Sequence, residues 1–477
     1  MTNKKFKLAA MSLATAVAVS AVGPSASAVT YYLGDGSVTV DKDDTRGAYS
    51  YQGEDGSEEH RTYVNEDEAD HGVINVKGGN APTEDVLPST DNSDNGTEET
   101  TPTDTTTDSS GNNAENSPTA ETTTGNTITV KEDVKDATIV VEGVNVDTST
   151  QTEVPVDAKE DKTIIKVGEG AKVDLTVKDS NLTTGGNGID IGVNLKGEDE
   201  NKGANVDLTL DNTKVNLTQN GKAGINVQDN SNVDLTLKGE NAIDGSKAIE
   251  NEDLKKNVNV EGIRVGDGGA SDGSGTSEGA NTKLTISGGV EKTETAETDT
   301  EETESPAGGS LTISDTTGGL VMADGSDVEI TDGADVTIEE TKTSGSTQAG
   351  RGVTQHGDLT ISGGSSLKID GVEDNAKQAS HTGIGIASWD DITVEDGSTL
   401  EISDATTGIY GHQGSDASLT VEDSALNIAG SSFGIDYEGA GKDKEGNVLK
   451  SAGDITFDNA EVDINITPET PNAAGYG

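Results

Sequence analysis

The segments Asp174-Leu175-Thr176-Val177, Asp207-Leu208-Thr209-Leu210 and Asp234-Leu235-Thr236-Leu237 are near copies of one another. Each places two aliphatic residues around one threonine, the spacing at which side chains of an extended strand share a face. The same apolar-polar-apolar triplet recurs at Leu284, Leu311, Val328, Leu359, Ile392, Leu419 and Ile455, so that ten copies lie 17 to 49 residues apart. Thr fills the middle of nine copies and Glu329 the tenth, which marks the middle position as outward and the flanking ones as inward.

Seven or eight residues after most triplets comes a second apolar pair, beginning at Leu182, Val215, Val336, Leu367, Leu400, Leu426 and Val462. A Gly-apolar step then follows, at Gly188-Ile189, Gly224-Ile225, Gly262-Ile263, Gly319-Leu320, Gly352-Val353, Gly383-Ile384, Gly408-Ile409 and Gly434-Ile435. Each unit thus supplies three short strands, joined by a tight turn such as Ser362-Gly363-Gly364-Ser365 or Glu395-Asp396-Gly397-Ser398 and by a longer, variable loop. One unit cannot cover its own apolar face. Stacked units can, because each strand pairs with its counterpart in the next coil and the inward Leu, Ile and Val line up in a thin interior. The repeat therefore predicts an all-β solenoid with three short strands per coil. Ten coils at ~4.8 Å give a rod on the order of 50 Å, longer if strands at 128–130, 139–141 and 164–167 join it. An array of β-sandwiches would not repeat one triplet in register.

Composition agrees. The 477 residues carry 32 Lys+Arg and 88 Asp+Glu, 32 − 88 = −56, with no Cys and 3% aromatics. That excludes a disulfide scaffold, a zinc-thiolate site and a nucleic-acid binder. Hydrophobic residues make up only 30%, which suffices for an interior two or three side chains wide but not for a large globular core.

Residues 1–28 have the three regions of a secretory signal: Lys4, Lys5 and Lys7, an apolar stretch from Leu8 to Val22, and Ala26-Ser27-Ala28, with cleavage expected after Ala28. The mature chain would carry 29 − 88 = −59. No later segment approaches the ~18 apolar residues of a membrane span. Residues 29–80 read as an N-terminal strand segment and cap. Residues 81–126 form an acidic Thr/Ser/Asp/Glu-rich linker that cannot bury enough surface to offset ordering entropy, so disorder is expected there. Residues 127–477 are the solenoid, with an acidic insertion at 291–309. Leu87-Pro88-Ser89-Thr90-Asp91 is close to an LPxTG wall-sorting signal, but Asp replaces Gly and no hydrophobic tail follows. Gly475-Tyr476-Gly477 repeats the pattern of Gly408-Ile409-Tyr410-Gly411 where the chain stops. The expectation is a rod truncated at its C-terminus, whose missing part carries a surface anchor.

With triplets and Gly-apolar steps in place, the region from about Ile128 onward resembles right-handed parallel β-helices of the pectin-lyase-like type. It is similar to repetitive secreted surface proteins of Gram-positive bacteria, some of them carbohydrate-binding and others adhesins. The resemblance spans roughly 350 residues and rests on a repeat, so it speaks to fold before activity.

Several groups invite a chemical reading. Asp precedes seven triplets, as Asp174, Asp207, Asp234, Asp327, Asp358, Asp391 and Asp454, and stacking would place these carboxylates in a partial ladder. At ~4.8 Å two carboxylates in water repel by about 0.9 kcal/mol, which a bound Ca2+ would relieve. The other account is that Asp bonds backbone N–H groups at the strand start. No cofactor is required by the fold, and Ca2+ is an optional ligand. Gly185-Gly186-Asn187-Gly188-Ile189-Asp190-Ile191 approaches a calcium nonapeptide but has no tandem copy. Trp389, Tyr410 and Tyr437 are candidates for a sugar platform, although their offsets in the repeat differ. His356, His381 and His412 read as unrelated loop residues rather than a metal triad. Asp390, Asp391, Asp396 and Glu401 resemble a glycosidase carboxylate set, but acids are so frequent here that no enzyme is expected.

The reading that follows is a secreted or cell-surface β-solenoid acting as a structural, adhesin-like interaction module. An extracellular polysaccharide-binding protein is the alternative, and a polysaccharide lyase or hydrolase the third. The expected partner is an extracellular polysaccharide or a host or bacterial surface component.

Overall fold

The structure of the protein, a computed structural model, describes residues 29–42, 49–52, 58–64, 73–80, 124–149, 162–195, 202–250, 259–266, 281–289, 308–342, 350–373, 383–412, 415, 417–439, 441 and 451–467. The signal segment, the Leu87–Asp91 motif, His381 and most of the linker and of the acidic insertion lie outside these residues.

Period-2 aliphatic triplets cannot bury a face alone, and here they do so by stacking. The strands form three sheets of 12, 10 and 13 members, termed first, second and third. From Ala137–Glu142 onward the chain visits first, second and third sheet in fixed order and then begins the next coil. The architecture is a right-handed parallel β-helix with three strands per coil. Val29–Tyr32 and Ile74–Lys77 belong to the first sheet and Ser37–Lys42 to the third, so the segment before the linker starts the same solenoid. Tyr49–Gln52 pairs antiparallel with Glu58–Val64 at the N-terminal end of the third sheet.

Register in the first sheet stacks Leu175 on Leu208 on Leu235, and later Leu359 on Ile392 on Leu419 on Ile455. Three assignments from the repeat change. Leu235 faces Ile286 and not Leu284, a slip of two residues that keeps every side chain on its face. The triplet at Leu311 lies in the second sheet, between Asn241 and Val336, because the strand after the acidic insertion enters at the second position of its coil. In the third sheet Val353 faces Ile386, which faces Ile409, so the Gly-apolar step of that coil is Gly385-Ile386 and not Gly383-Ile384.

The step has a steric origin. A Cβ on Gly319, Gly352 or Gly385 would lie 2.3, 2.4 or 2.6 Å from Cγ2 of Ile338, Ile369 or Ile402 on the second sheet. A column of glycines therefore makes room for a column of isoleucines across a narrow corner. The corner between first and second sheets turns on one left-handed residue in some coils, at Asp179 (φ 47°), Asn212 (φ 51°), Asp423 (φ 50°) and Asn459 (φ 50°), and on two in succession in others, at Asp332-Gly333, Gly363-Gly364 and Asp396-Gly397, residue types that tolerate this conformation. Inside that corner the N–H groups of Ala334, Ser365 and Ser398 donate to Oγ of Ser365, Ser398 and Ser424, at 3.2, 3.2 and 3.1 Å, tying each coil to the next.

Candidate functional site

Loops mark where a solenoid meets its surroundings. Of the nine connections longer than ten residues between the described strands, eight lead into or out of the third sheet, at the corners that flank it. The outer face of that sheet differs accordingly from the wet Thr faces elsewhere: Val321, Thr354 and Ala387 are wholly buried, and Tyr410 nearly so. Ile384, Ala387 and Tyr410, with Trp389 against them, make an apolar cluster separate from the interior.

One column runs just past the end of the third-sheet strands. The N–H groups of His356, Trp389 and His412 each donate to a carbonyl one coil earlier, those of Met322, Gln355 and Ser388. Equal placement stacks the rings: His356 and Trp389 have centroids 4.2 Å apart at 16°, and Trp389 and His412 5.0 Å apart at 18°. Tyr410 meets His412 edge-on at 5.9 Å, and the Arg351 guanidinium stands 5.7 Å from the indole centroid. Burial and the neighbouring Arg351 cation hold the His356 imidazole below its ordinary pKa, so it stacks as a neutral ring at neutral pH. Burial pushes the Tyr410 phenol up, and its hydrogen bond to Glu438 adds to the effect.

The three proposed sugar-binding rings thus have different roles. Trp389 carries an imidazole on each face and offers an outward ligand its edge. Tyr410 packs into the outer apolar cluster. Tyr437 points inward, where its ring lies above Gly411 and packs on the interior cluster, and burial raises its pKa. His356 and His412, read from sequence as unrelated, share one column.

The seven aspartates fall into two columns offset by two residues. Asp174, Asp207 and Asp234 stack in successive coils. The slip at the next strand puts Thr285 opposite Asp234, and Asp327 continues a different column, followed by Asp358, Asp391 and, beyond Ser418, Asp454. Partial burial raises the pKa of Asp207, with a hydrogen bond and repulsion from Asp174 adding to it; Asp234 is raised by burial and by Asp207.

Among the described residues, the densest carboxylate group sits where the ring column turns into the first sheet. Carboxylate oxygens of Asp358, Asp390 and Asp391 lie within 4.8 Å of one another. Burial, then the Asp358 charge, pushes Asp390 up to about 6. Hard oxygen donors at this spacing fit Ca2+, and these three are the residues that would hold it. Asp396 and Glu401 are not part of the group. The strand Ile392–Val394 separates them from Asp390, Asp396 lies at the next corner, and Glu401 sits on the second sheet 3.5 Å from Lys368. The glycosidase-like set therefore does not converge.

The raised pKa carries a sign. Between about pH 4 and 6 the native state holds a proton on Asp390 that the unfolded chain has lost, so stability falls as pH rises through that window. Asp390→Asn is expected to raise the melting temperature at pH 7 and to flatten its decline between pH 4 and 6, measured by circular dichroism in chelator. An unchanged pH profile would show that Asp390 is not repelled by its neighbours.

Nearer the N-terminus the same outer face holds buried charge. Asp190 accepts from Asn187 Nδ2 at 2.9 Å and from Asn226 Nδ2 and Gln228 Nε2 at 2.8 Å each. In the next coil but one, Glu261 is fully buried and accepts from Arg264 Nε and, at 2.9 Å, from Asn259 Nδ2. The near-nonapeptide at Gly185 is thus a corner whose Asp190 is saturated by amide donors. Among the described residues no helix is long and apolar enough to cross a membrane. In comparisons with known proteins, no family model, no curated protein and no solved structure matches this chain.

Proposed function

We propose that the chain is a secreted or cell-surface β-solenoid that acts as a structural, adhesin-like interaction module. The observation that carries this reading is the gathering of long connections at the two corners of one sheet on an otherwise regular rod. A stack of in-register coils gives the connections fixed spacing, and insertion at a corner costs little because loop-closure entropy grows slowly with length. The signal-like residues 1–28 and the likeness to Gram-positive surface β-helices support export, and an anchor would lie outside the coils. Expression of the full chain in a Gram-positive host tests it. Mature protein beginning at Val29, recovered from medium or cell surface and binding whole bacteria or host matrix, is the expected result. An uncleaved protein retained inside the cell would sink the reading.

A second reading, binding of an extracellular polysaccharide with Ca2+, is favoured by the juxtaposition of Arg351, the Trp389 edge and the Asp358, Asp390 and Asp391 carboxylates at one corner. Bound Ca2+ would supply coordination sites for vicinal hydroxyls, while Arg351 donates hydrogen bonds and the indole edge packs against the ring. Glycan-array binding should be lost in Trp389→Ala and in chelator. Binding that survives both would exclude this corner.

A further inference from the structure

On the outer face of the second sheet, side chains in neighbouring coils spend their polar groups on one another. Asn181 donates to Asn145 at 3.1 Å and accepts from Asn216 at 2.8 Å, Ser366 donates to Asp335 at 2.6 Å, and Lys368 stands 3.5 Å from Glu401. The pattern breaks at Ala242. It lies in register between Lys214 and Thr312, and puts one methyl group where its neighbours carry longer or branched side chains. Lys214 and Thr312 therefore stand two strand spacings, ~9.6 Å, apart with a gap between them. The gap widens toward the corner, because strand Lys214–Leu217 begins only after the left-handed Asn212, whereas Glu240–Asp244 runs two residues further and pairs Glu240 with Ser310. The result is a cavity of about 430 Å3, with Asn212, Lys214, Glu240, Ala242, Ser310 and Thr312 in its walls and floor. That volume falls within the roughly 300–1,000 Å3 of small-molecule sites.

The walls hold polar groups left over from the fold. Among the described residues, the hydroxyls of Ser310 and Thr312 and the Glu240 carboxylate make no side-chain hydrogen bond or ion pair. Lys214 pairs with Asp244 at 3.2 Å and keeps further N–H donors for a ligand. Lys214, Asp244 and Glu240 together carry 1 − 2 = −1. An anionic ligand would meet an ammonium already neutralised by Asp244 and a Glu240 carboxylate that repels it, while a cationic one would share the wall with the Lys214 ammonium. A neutral ligand rich in hydroxyls meets neither obstacle. Its hydroxyls donate to Glu240, accept from Lys214 and do either with Ser310 and Thr312, and its C–H face covers the Ala242 methyl group.

We propose that this notch on the second sheet is a binding site for a neutral hexopyranose unit of a glycan. The ligand class is that of the polysaccharide reading, but the residues are not. The notch lies on the second sheet, whereas Trp389 and the carboxylates of Asp358, Asp390 and Asp391 sit where the third sheet turns into the first, and the notch needs no Ca2+. The inference therefore stands or falls apart from that corner.

The test is saturation-transfer difference NMR on the full chain with maltose, cellobiose, lactose and N,N′-diacetylchitobiose, and with digalacturonate as the acidic counterpart. At least one neutral disaccharide should bind with a Kd of about 1 mM, and digalacturonate at least ~10-fold more weakly. Ala242→Gln fills the notch with a side chain of the length that neighbouring coils carry, and Glu240→Ala removes an acceptor at an exposed position. Each should lower the affinity at least ~10-fold while far-ultraviolet circular dichroism stays unchanged. Trp389→Ala and chelator should leave the affinity as it was. Absence of binding by every neutral disaccharide, binding indifferent to both notch substitutions, or digalacturonate bound as tightly would each overturn the proposal. Binding lost in Trp389→Ala alone would place the glycan at the third-sheet corner, which overturns the notch while supporting the polysaccharide reading of that corner.

Discussion

Gly352→Val is expected to lower the unfolding free energy by about 3 kcal/mol or more, at the upper end of overpacking costs. A Cβ at this position would lie 2.4 Å from Ile369 Cγ2 and 2.7 Å from the Gly385 carbonyl oxygen. In a looser core the isoleucine would rotate away, but the carbonyl belongs to the next coil of the same sheet and moves only with its ladder. Relief thus requires two coils to part, and the loss propagates along the stack. Gly397→Ala supplies the comparison, because that residue has φ +74° with nothing within 4 Å of a built Cβ. Its cost should be that of a left-handed backbone alone, about 1 kcal/mol. Urea denaturation of both variants measures the difference. Equal midpoints would mean that the glycine column is conformational and not steric.

Arg264→Leu is expected to destabilise by about 3 kcal/mol, because it leaves the fully buried Glu261 carboxylate with Asn259 Nδ2 as its remaining named donor. The loss comes less from the attraction than from stranding a charge away from water. Lys368→Leu is the contrast. Its pair with Glu401 spans 3.5 Å, with side chains 42% and 44% exposed, and a solvent-screened pair of this kind is worth at most about 1 kcal/mol. Thermal melts that rank the two substitutions equally would show that Glu261 reaches solvent or another cation.

The coil and its three strands could be read from the triplets because period-2 patterning is a local property, carried by each strand whatever its neighbours do. Register was less legible for the same reason. A slip of two residues preserves the pattern, so Leu284 stands as good a triplet as Ile286 would, and only pairing distinguishes them. One such ambiguity hid the ring column. With the step set at Gly383, Trp389 falls six residues later, whereas His356 and His412 fall four residues after Gly352 and Gly408. Set at Gly385, where the sheet places it, all three lie four residues on, and Glu438 lies four after Gly434. The carboxylate group at Asp358, Asp390 and Asp391 was half visible. The Asp-before-triplet rule captured two of its members, while Asp390 joins them only because the corner folds it back toward the preceding coil.

The indole clamped between two imidazoles has a consequence for how this molecule can be watched. Trp389 is the sole tryptophan, so intrinsic emission at long wavelength reports on a handful of rungs toward one end, while dichroism averages over all of them. In a quasi-one-dimensional stack those signals need not move together. A gap between the two melting curves would measure how far the rod unzips from an end before it gives way as a whole.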